Sequence, residues 1–205
     1  MLKIWGRTNS VNVKKVLWAA DELGLRYERV DAGLQFGIVN TPEYKKLNPN
    51  SLVPTIEDDG FVLWESHSIV RYLAAKYGEA RLWPSDPRAR GDVDRWMDWT
   101  HTLQASLGPV FRGLVRTPPD KRDPKAIEES RKKAAELLSI PDAALAGRQY
   151  LGGNQLTMGD IPLGCHVQLW MRLPIERPAH PNLTAWFERL CARPPYKKNV
   201  DIPLS

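Results

Sequence analysis

Cysteine is scarce in this 205-residue chain, which contains two, Cys165 and Cys191. They form neither a C-x-x-C pair nor part of a cluster with metal-ligand spacing, so a disulfide framework, a redox motif and a zinc site are not indicated. His67 and His101 also lack partners at ligand spacing, and we expect no metal site. We interpret both thiols as buried on helices in a reducing compartment, and we expect a cytoplasmic protein.

Long apolar runs are absent as well. No apolar segment reaches the length of a membrane-spanning helix, and the first residues, Met1–Trp5, do not resemble a signal peptide. Hydrophobic residues nevertheless make up 42% of the sequence, which is typical of a globular protein with a buried core. We therefore expect a folded protein without a membrane partner.

The excess of one sign of charge is small, at a net charge of +5. Basic residues are scattered and alternate with acidic ones, as between Arg88 and Arg95. Such mixing is typical of a solvated surface, whereas a nucleic-acid-binding face concentrates its positive charge. We therefore expect no nucleic-acid partner.

The pattern of apolar residues changes once along the chain. Residues 1–77 alternate short strands with helices, and this pattern predicts the order β-α-β-α-β-β-α. Residues 78–86 read as a linker that ends beside Pro87. Residues 87–205 show helical spacing throughout, so the sequence predicts an α/β domain followed by an all-α domain. An apolar stripe that includes Trp96, Trp99, Leu103 and Phe111 could line a pocket, although core packing is the commoner role of such a stripe.

A β-hairpin is predicted around residue 58. Apolar runs at 53–56 and 61–64 flank the turn-forming residues 57–60. Pro54 opens the first strand and cannot donate to the sheet, and such a position favours a cis peptide bond. We expect this geometry to leave the backbone of Val53 free to pair with a bound peptide.

Glu65 and Ser66 then open a predicted helix. They place a carboxylate, a hydroxyl and free backbone N–H groups at the positive end of a helix, which is a ready site for an anion. The plainer alternatives are helix capping by Ser66 and a favourable charge–dipole interaction of Glu65. One small region can thus pair with a peptide and bind its carboxylate.

The order of these motifs resembles the cytosolic glutathione transferase family over nearly the whole chain. The matching segments, in chain order, are Leu2–Trp5, Ser10–Val16, Asn48-Pro49, Val53-Pro54, Glu65-Ser66 and Thr157–Asp160. The resemblance implies a thioredoxin-like, glutathione-binding α/β N-terminal domain over 1–77 and an all-helical, substrate-binding C-terminal domain over 87–205. It also implies a homodimer that activates the glutathione thiolate for attack on a small electrophile.

The resemblance assigns glutathione to Val53, Pro54, Glu65 and Ser66. The thiol would then lie at the start of the first helix, where Ser10 could donate a hydrogen bond to the thiolate. Asn12 is the alternative donor. Ser10 could instead only cap the helix, and Asn12 could be a solvent-facing residue of the first turn.

Two departures from the family pattern matter. Many members place Lys or Gln before the Val-Pro pair to meet the glycine carboxylate, where this chain has Leu52. The chain also lacks an early tyrosine at the activating position and any cysteine in residues 1–77, so it resembles the serine-type bacterial branch. Three functions remain open: glutathione conjugation, a glutathione-dependent disulfide reductase or peroxidase, and a non-catalytic binding or regulatory protein.

Overall fold

A computed structural model describes residues 1–205. The first part of the chain follows the predicted order of strands and helices. Its elements are β1 (Leu2–Trp5), α1 (Val11–Glu22), β2 (Tyr27–Val30), α2 (Pro42–Leu47), β3 (Thr55–Asp58), β4 (Phe61–Trp64) and α3 (Ser66–Tyr77). A 3₁₀ turn at Leu34–Phe36 lies in the connection between β2 and α2.

The strands form one mixed four-stranded sheet in the order β2-β1-β3-β4. β1 pairs parallel to β2 and antiparallel to β3, where Ile4 lies opposite Ile56, and both side chains are fully buried. β3 and β4 form the predicted hairpin. Its turn places Asp59 and Gly60 at φ of 50° and 88°, the positive values that a tight hairpin turn requires. The strand itself starts at Thr55, just after Pro54.

The rest of the chain is helical. Its helices are α4 (Pro87–Phe111), α5 (Pro124–Ala144), α6 (Asp160–Arg172), α7 (Pro181–Cys191) and α8 (Pro194–Asn199), and a π-helical turn at Arg112–Arg116 follows α4. None of these helices, nor any in the first part, combines the length and apolar character needed to cross a bilayer.

One hydrophobic core joins the two parts. α1 packs against α3 of its own part and against α6 and α8 of the helical part. The contact with α6 is close because residue 164 is glycine: a Cβ there would lie 2.8 Å from the ring of the buried Trp18. α1 is thereby fixed between α3 and the helical part.

Candidate functional site

The segment before β3 has a free stretch of backbone. The Val53–Pro54 peptide bond is cis, as predicted. The carbonyl of Leu52 accepts hydrogen bonds from the Tyr44 hydroxyl at 2.7 Å and the Asn48 amide at 3.0 Å. The N–H and C=O of Val53, in contrast, form no hydrogen bond within the chain. This residue is therefore held in place by its neighbours while its own backbone groups are available to a ligand.

Glu65 and Ser66 lie at the start of α3. Glu65 has a φ of 72°, and such values in non-glycine residues are concentrated at functional sites. Ser66 is only 4% exposed, and neither residue caps α3 through its side chain. A cavity of about 40 Å³ lies here, lined by Asn12, Asn48, Asn50, Leu52, Val53, Pro54, Glu65 and Ser66. The four residues predicted to bind the cofactor therefore line one cavity.

Ser10 occupies the N-cap position of α1. Its backbone carbonyl accepts the first helical hydrogen bond, from the Lys14 N–H at 2.9 Å, but its side chain forms no capping bond. The hydroxyl instead lines a second, larger cavity of about 420 Å³. Capping thus does not account for the side chain of Ser10, which is free to donate to a ligand.

Asn12 lines both cavities and joins them. It is half-buried, and its Oδ1 accepts a hydrogen bond from the ammonium of Lys15 at 2.9 Å. It is therefore not a simple solvent-facing residue of the first turn. The structure thus places the predicted catalytic pair, Ser10 and Asn12, together on the wall of the larger cavity, and Asn12 also lines the small one.

The larger cavity is positively charged. Three guanidinium groups line it, those of Arg7, Arg112 and Arg116, together with Lys14, and no acidic side chain does. Burial, and repulsion by Arg116, lower the pKa of Arg7, whose buried Nε has no hydrogen-bond partner. A negative charge in this cavity would be stabilised by these groups.

Of the four candidate pocket residues named from the sequence, only Phe111 lines the larger cavity. Leu103 is fully buried in the core. Trp96 and Trp99 line a separate groove with Ile140. Core packing thus explains most of the stripe, as the commoner role of such a stripe suggests.

Sequence reasoning missed Lys15, which is fully buried beneath Asn12. Its Nζ lies 2.9 Å from the Nε2 of His67 on α3. Burial lowers the pKa of Lys15 to about 8. Burial, followed by the charge of Lys15, lowers the pKa of His67 to about 2, so this imidazole is neutral at neutral pH. The sequence contained one signal for this burial, because Lys15 lies between the core residues Val13 and Val16 of α1.

The two cysteines take no part in this site, since neither lines either cavity. Burial raises the pKa of Cys165 to about 12 and that of Cys191 to about 11. Both therefore stay protonated at neutral pH, and a protonated thiol is a poor nucleophile.

Comparison with known families matches both parts of the chain. Residues 1–75 match the family model described as the glutathione S-transferase N-terminal domain. Residues 103–194 match the model described as the glutathione S-transferase C-terminal domain.

Relatives of known sequence and structure agree with these matches. The chain is 42% identical to glutathione S-transferase GstB of Escherichia coli (strain K12), with all of both chains covered. It is 33% identical to glutathione S-transferase 3 of Zea mays, covering 99% of this chain and 95% of that one. Among solved structures, the theta class glutathione S-transferase of Xanthomonas axonopodis pv. citri with glutathione bound superposes with a TM-score of 0.96 at 48% identity, covering 100% and 99% of the two chains.

Proposed function

The chain belongs to the glutathione S-transferase family, and we propose that it binds glutathione and transfers it to a small electrophile. The observation that carries this proposal is the unpaired backbone of Val53 next to the start of α3. These groups share one cavity, and Asn12 connects it to the larger one. The site thus offers a place for a peptide beside a space for a second substrate.

The polar groups of the small cavity suit the two ends of glutathione. The backbone of Val53 pairs with the cysteinyl residue, as a neighbouring strand would. The Ser66 hydroxyl and the first N–H groups of α3 bind the γ-glutamyl carboxylate, while Glu65 attracts the ammonium group. Leu52 offers no charge to the glycine carboxylate, and we assign that contact to the amide of Asn50, which lines the same cavity.

The thiol then lies at the junction of the cavities, beside Ser10 and Asn12. A free thiol has a pKa of about 8.5, so most of it is protonated at neutral pH. Hydrogen bonds from the Ser10 hydroxyl and the Asn12 amide favour the thiolate, as does the positive cavity lining. The thiol proton leaves to water, the sulfur forms a bond to the electrophilic carbon, and the leaving group departs with its bonding electrons.

We propose that residues 1–77 form the glutathione-binding domain, residues 78–86 the linker and residues 87–205 the substrate-binding domain. The two family matches, at 1–75 and 103–194, support this division. Ser10 supports placement in the serine-type branch, because it is the hydroxyl at the junction of the two cavities.

The test of glutathione binding is calorimetry on variants of the small cavity. Ser66→Ala and Glu65→Ala should each weaken binding by about tenfold or more, since each removes a charge-assisted contact. Ser68→Ala is the matched control, because Ser68 lies exposed on the same helix, and it should bind like the parent. Unchanged affinity in both the Ser66 and Glu65 variants would refute the assignment.

Disulfide reduction or peroxide reduction with glutathione is the second candidate. Both would have to run on the glutathione thiolate alone, because neither cavity contains a cysteine of the protein for exchange. We therefore favour conjugation. Turnover of an aromatic halide should exceed turnover of a mixed disulfide of glutathione, and the reverse ratio would favour the reductase.

A further inference from the structure

Lys15 fixes the orientation of Asn12. An ammonium group only donates hydrogen bonds, so the atom that faces it at 2.9 Å must be the carbonyl oxygen of the Asn12 amide. The NH₂ end of the same amide then points away from Lys15. Since Asn12 lines both cavities, this end is available to a ligand that spans them.

His67 holds the ammonium from the other side. Its neutral imidazole accepts through Nε2 at 2.9 Å, so its proton must be on Nδ1. That nitrogen is buried and has no partner. The ring of His67 also packs against that of His101 on α4, with 4.3 Å between centroids. Lys15 is thus held between Asn12 of α1 and His67 of α3, and His67 in turn packs against the helical part.

The ammonium of Lys15 has no ion-pair partner in the chain. None of the salt bridges includes it. The titratable groups around Lys15 and its partner His67 are those of Glu65, Arg71, His101, Cys165 and His166. Glu65 is the only carboxylic acid among them, and it is exposed. A buried cation without a counter-ion is costly, and a nearby anionic ligand offsets that cost.

We propose that Lys15 is a positioning residue for thiol activation, whose buried ammonium holds Asn12 so that the amide NH₂ donates to the sulfur of bound glutathione. This inference rests on the proposed function. Lys15 itself neither gains nor loses a proton during the reaction. The glutathione thiolate supplies the negative charge that no buried side chain near Lys15 provides. The Asn12 amide then connects the ammonium of Lys15 to the thiolate.

The test replaces Lys15 by methionine, which preserves length and burial but removes the charge and the donors. In Lys15→Met the pKa of bound glutathione, read from thiolate absorbance, should rise by about one unit or more. At pH values below the thiol pKa, kcat/KM should fall about tenfold for each unit by which the thiol pKa rises. The difference in kcat/KM between the variant and the parent should shrink at high pH, where the thiol ionises without help. Lys125→Met, which removes the same charge from an exposed position of α5, should leave both quantities unchanged.

Binding of S-methylglutathione separates the two proposals, because this analogue has no thiol to ionise. The parent should bind it, and Lys15→Met should bind it within about twofold of the parent. Failure of the parent to bind refutes the proposed function. Normal binding in Lys15→Met, together with an unshifted thiol pKa, refutes the role of Lys15 alone.

Coupling to Asn12 distinguishes positioning from charge acting at a distance. If Lys15 acts through Asn12, the shifts in thiol pKa caused by Lys15→Met and Asn12→Ala should not add in the double variant. Fully additive shifts would contradict the positioning role. If Lys15→Met does not fold, Lys15→Gln provides the same comparison with a polar, uncharged side chain, and an unshifted thiol pKa in that variant would again refute the proposal.

Discussion

The two donors that we propose for the glutathione sulfur, Ser10 and Asn12, are not equivalent. The Ser10 hydroxyl is free of internal hydrogen bonds and can rotate its proton toward the ligand. We expect Ser10→Ala to raise the pKa of bound glutathione and to lower turnover at neutral pH by about 10- to 1000-fold. Affinity should stay nearly intact, because the peptide is held elsewhere. Thiolate absorbance across pH measures the effect.

The same titration on Asn12→Ala completes the comparison. We expect a smaller shift than in Ser10→Ala. A shift in the Asn12 variant alone would assign activation to Asn12. If neither variant shifts the titration, the site does not activate the thiol, and a non-catalytic binding protein becomes the better account.

Lys15 should also make the unfolding free energy of the ligand-free protein depend on pH. Its pKa is about 8 in the folded protein and 10.5 in the unfolded chain. Between these values the unfolded state binds more protons, so stability rises with pH over that window. Relative to Lys15→Met, the parent should gain up to about 3 kcal/mol in unfolding free energy from pH 8 to 10.5. Urea unfolding at several pH values checks this, and a difference that stays flat with pH would contradict it.

The motif residues could be predicted from the sequence, whereas Lys15 could not. Ser10, Val53, Pro54, Glu65 and Ser66 stand beside turn and helix-start signals that have a local physical meaning. The role of Lys15 depends on a contact with His67, 52 positions further along the chain. Periodicity records which face of a helix is apolar, and it does not reveal that a charged residue on that face meets a neutral imidazole.

At the scale of elements, Asp160 organises the start of α6. It is fully buried and accepts hydrogen bonds from the N–H of Leu151 at 3.0 Å and that of Thr157 at 2.9 Å. It also accepts from the Thr157 hydroxyl at 3.1 Å and the Trp186 indole at 2.9 Å. The carboxylate of Asp160 therefore closes the turn before α6 and also ties α6 to α7.

We expect Asp160→Ala to lower the unfolding free energy by about 3–5 kcal/mol, because it leaves several buried donors without a partner. Asp123→Ala is the matched comparison. Asp123 caps α5 through one exposed hydrogen bond, to the Ala126 N–H at 3.0 Å, and its loss should cost about 1 kcal/mol. Urea unfolding measures both, and equal costs would show that the buried network contributes nothing beyond a cap.

The elements that sequence reasoning misjudged are governed by packing. Local rules predict that Pro141 interrupts α5, since proline removes a helical hydrogen bond. α5 nevertheless continues to Ala144 with Pro141 buried, and the helix packs against α4 and α7. α8 was not anticipated as a separate helix, since its six residues are too few to show periodicity. The hairpin and the start of α3, in contrast, have strong local signals and were predicted, although β3 lies at Thr55–Asp58, two residues after the expected 53–56.

At the scale of the whole molecule, we expect a homodimer. The edge strand β4 leaves Phe61 48% and Trp64 37% exposed, and exposed aromatic side chains on a sheet edge favour a covered interface. Light scattering at micromolar concentration should give about 47 kDa, which is twice the 23.3 kDa of one chain. Phe61→Glu should shift the mass toward the monomer. A stable 23.3 kDa species for the parent would contradict the dimer.

In the proposed complex, glutathione lies across the two cavities with its sulfur at their junction. The most direct measurement is a crystal structure of the protein soaked with glutathione. We predict that the cysteinyl backbone pairs with Val53, the γ-glutamyl carboxylate contacts Ser66, and the sulfur lies within hydrogen-bond distance of Ser10 or Asn12. Glutathione bound away from Val53 and Ser66, or with its sulfur directed away from the first turn of α1, would contradict the account.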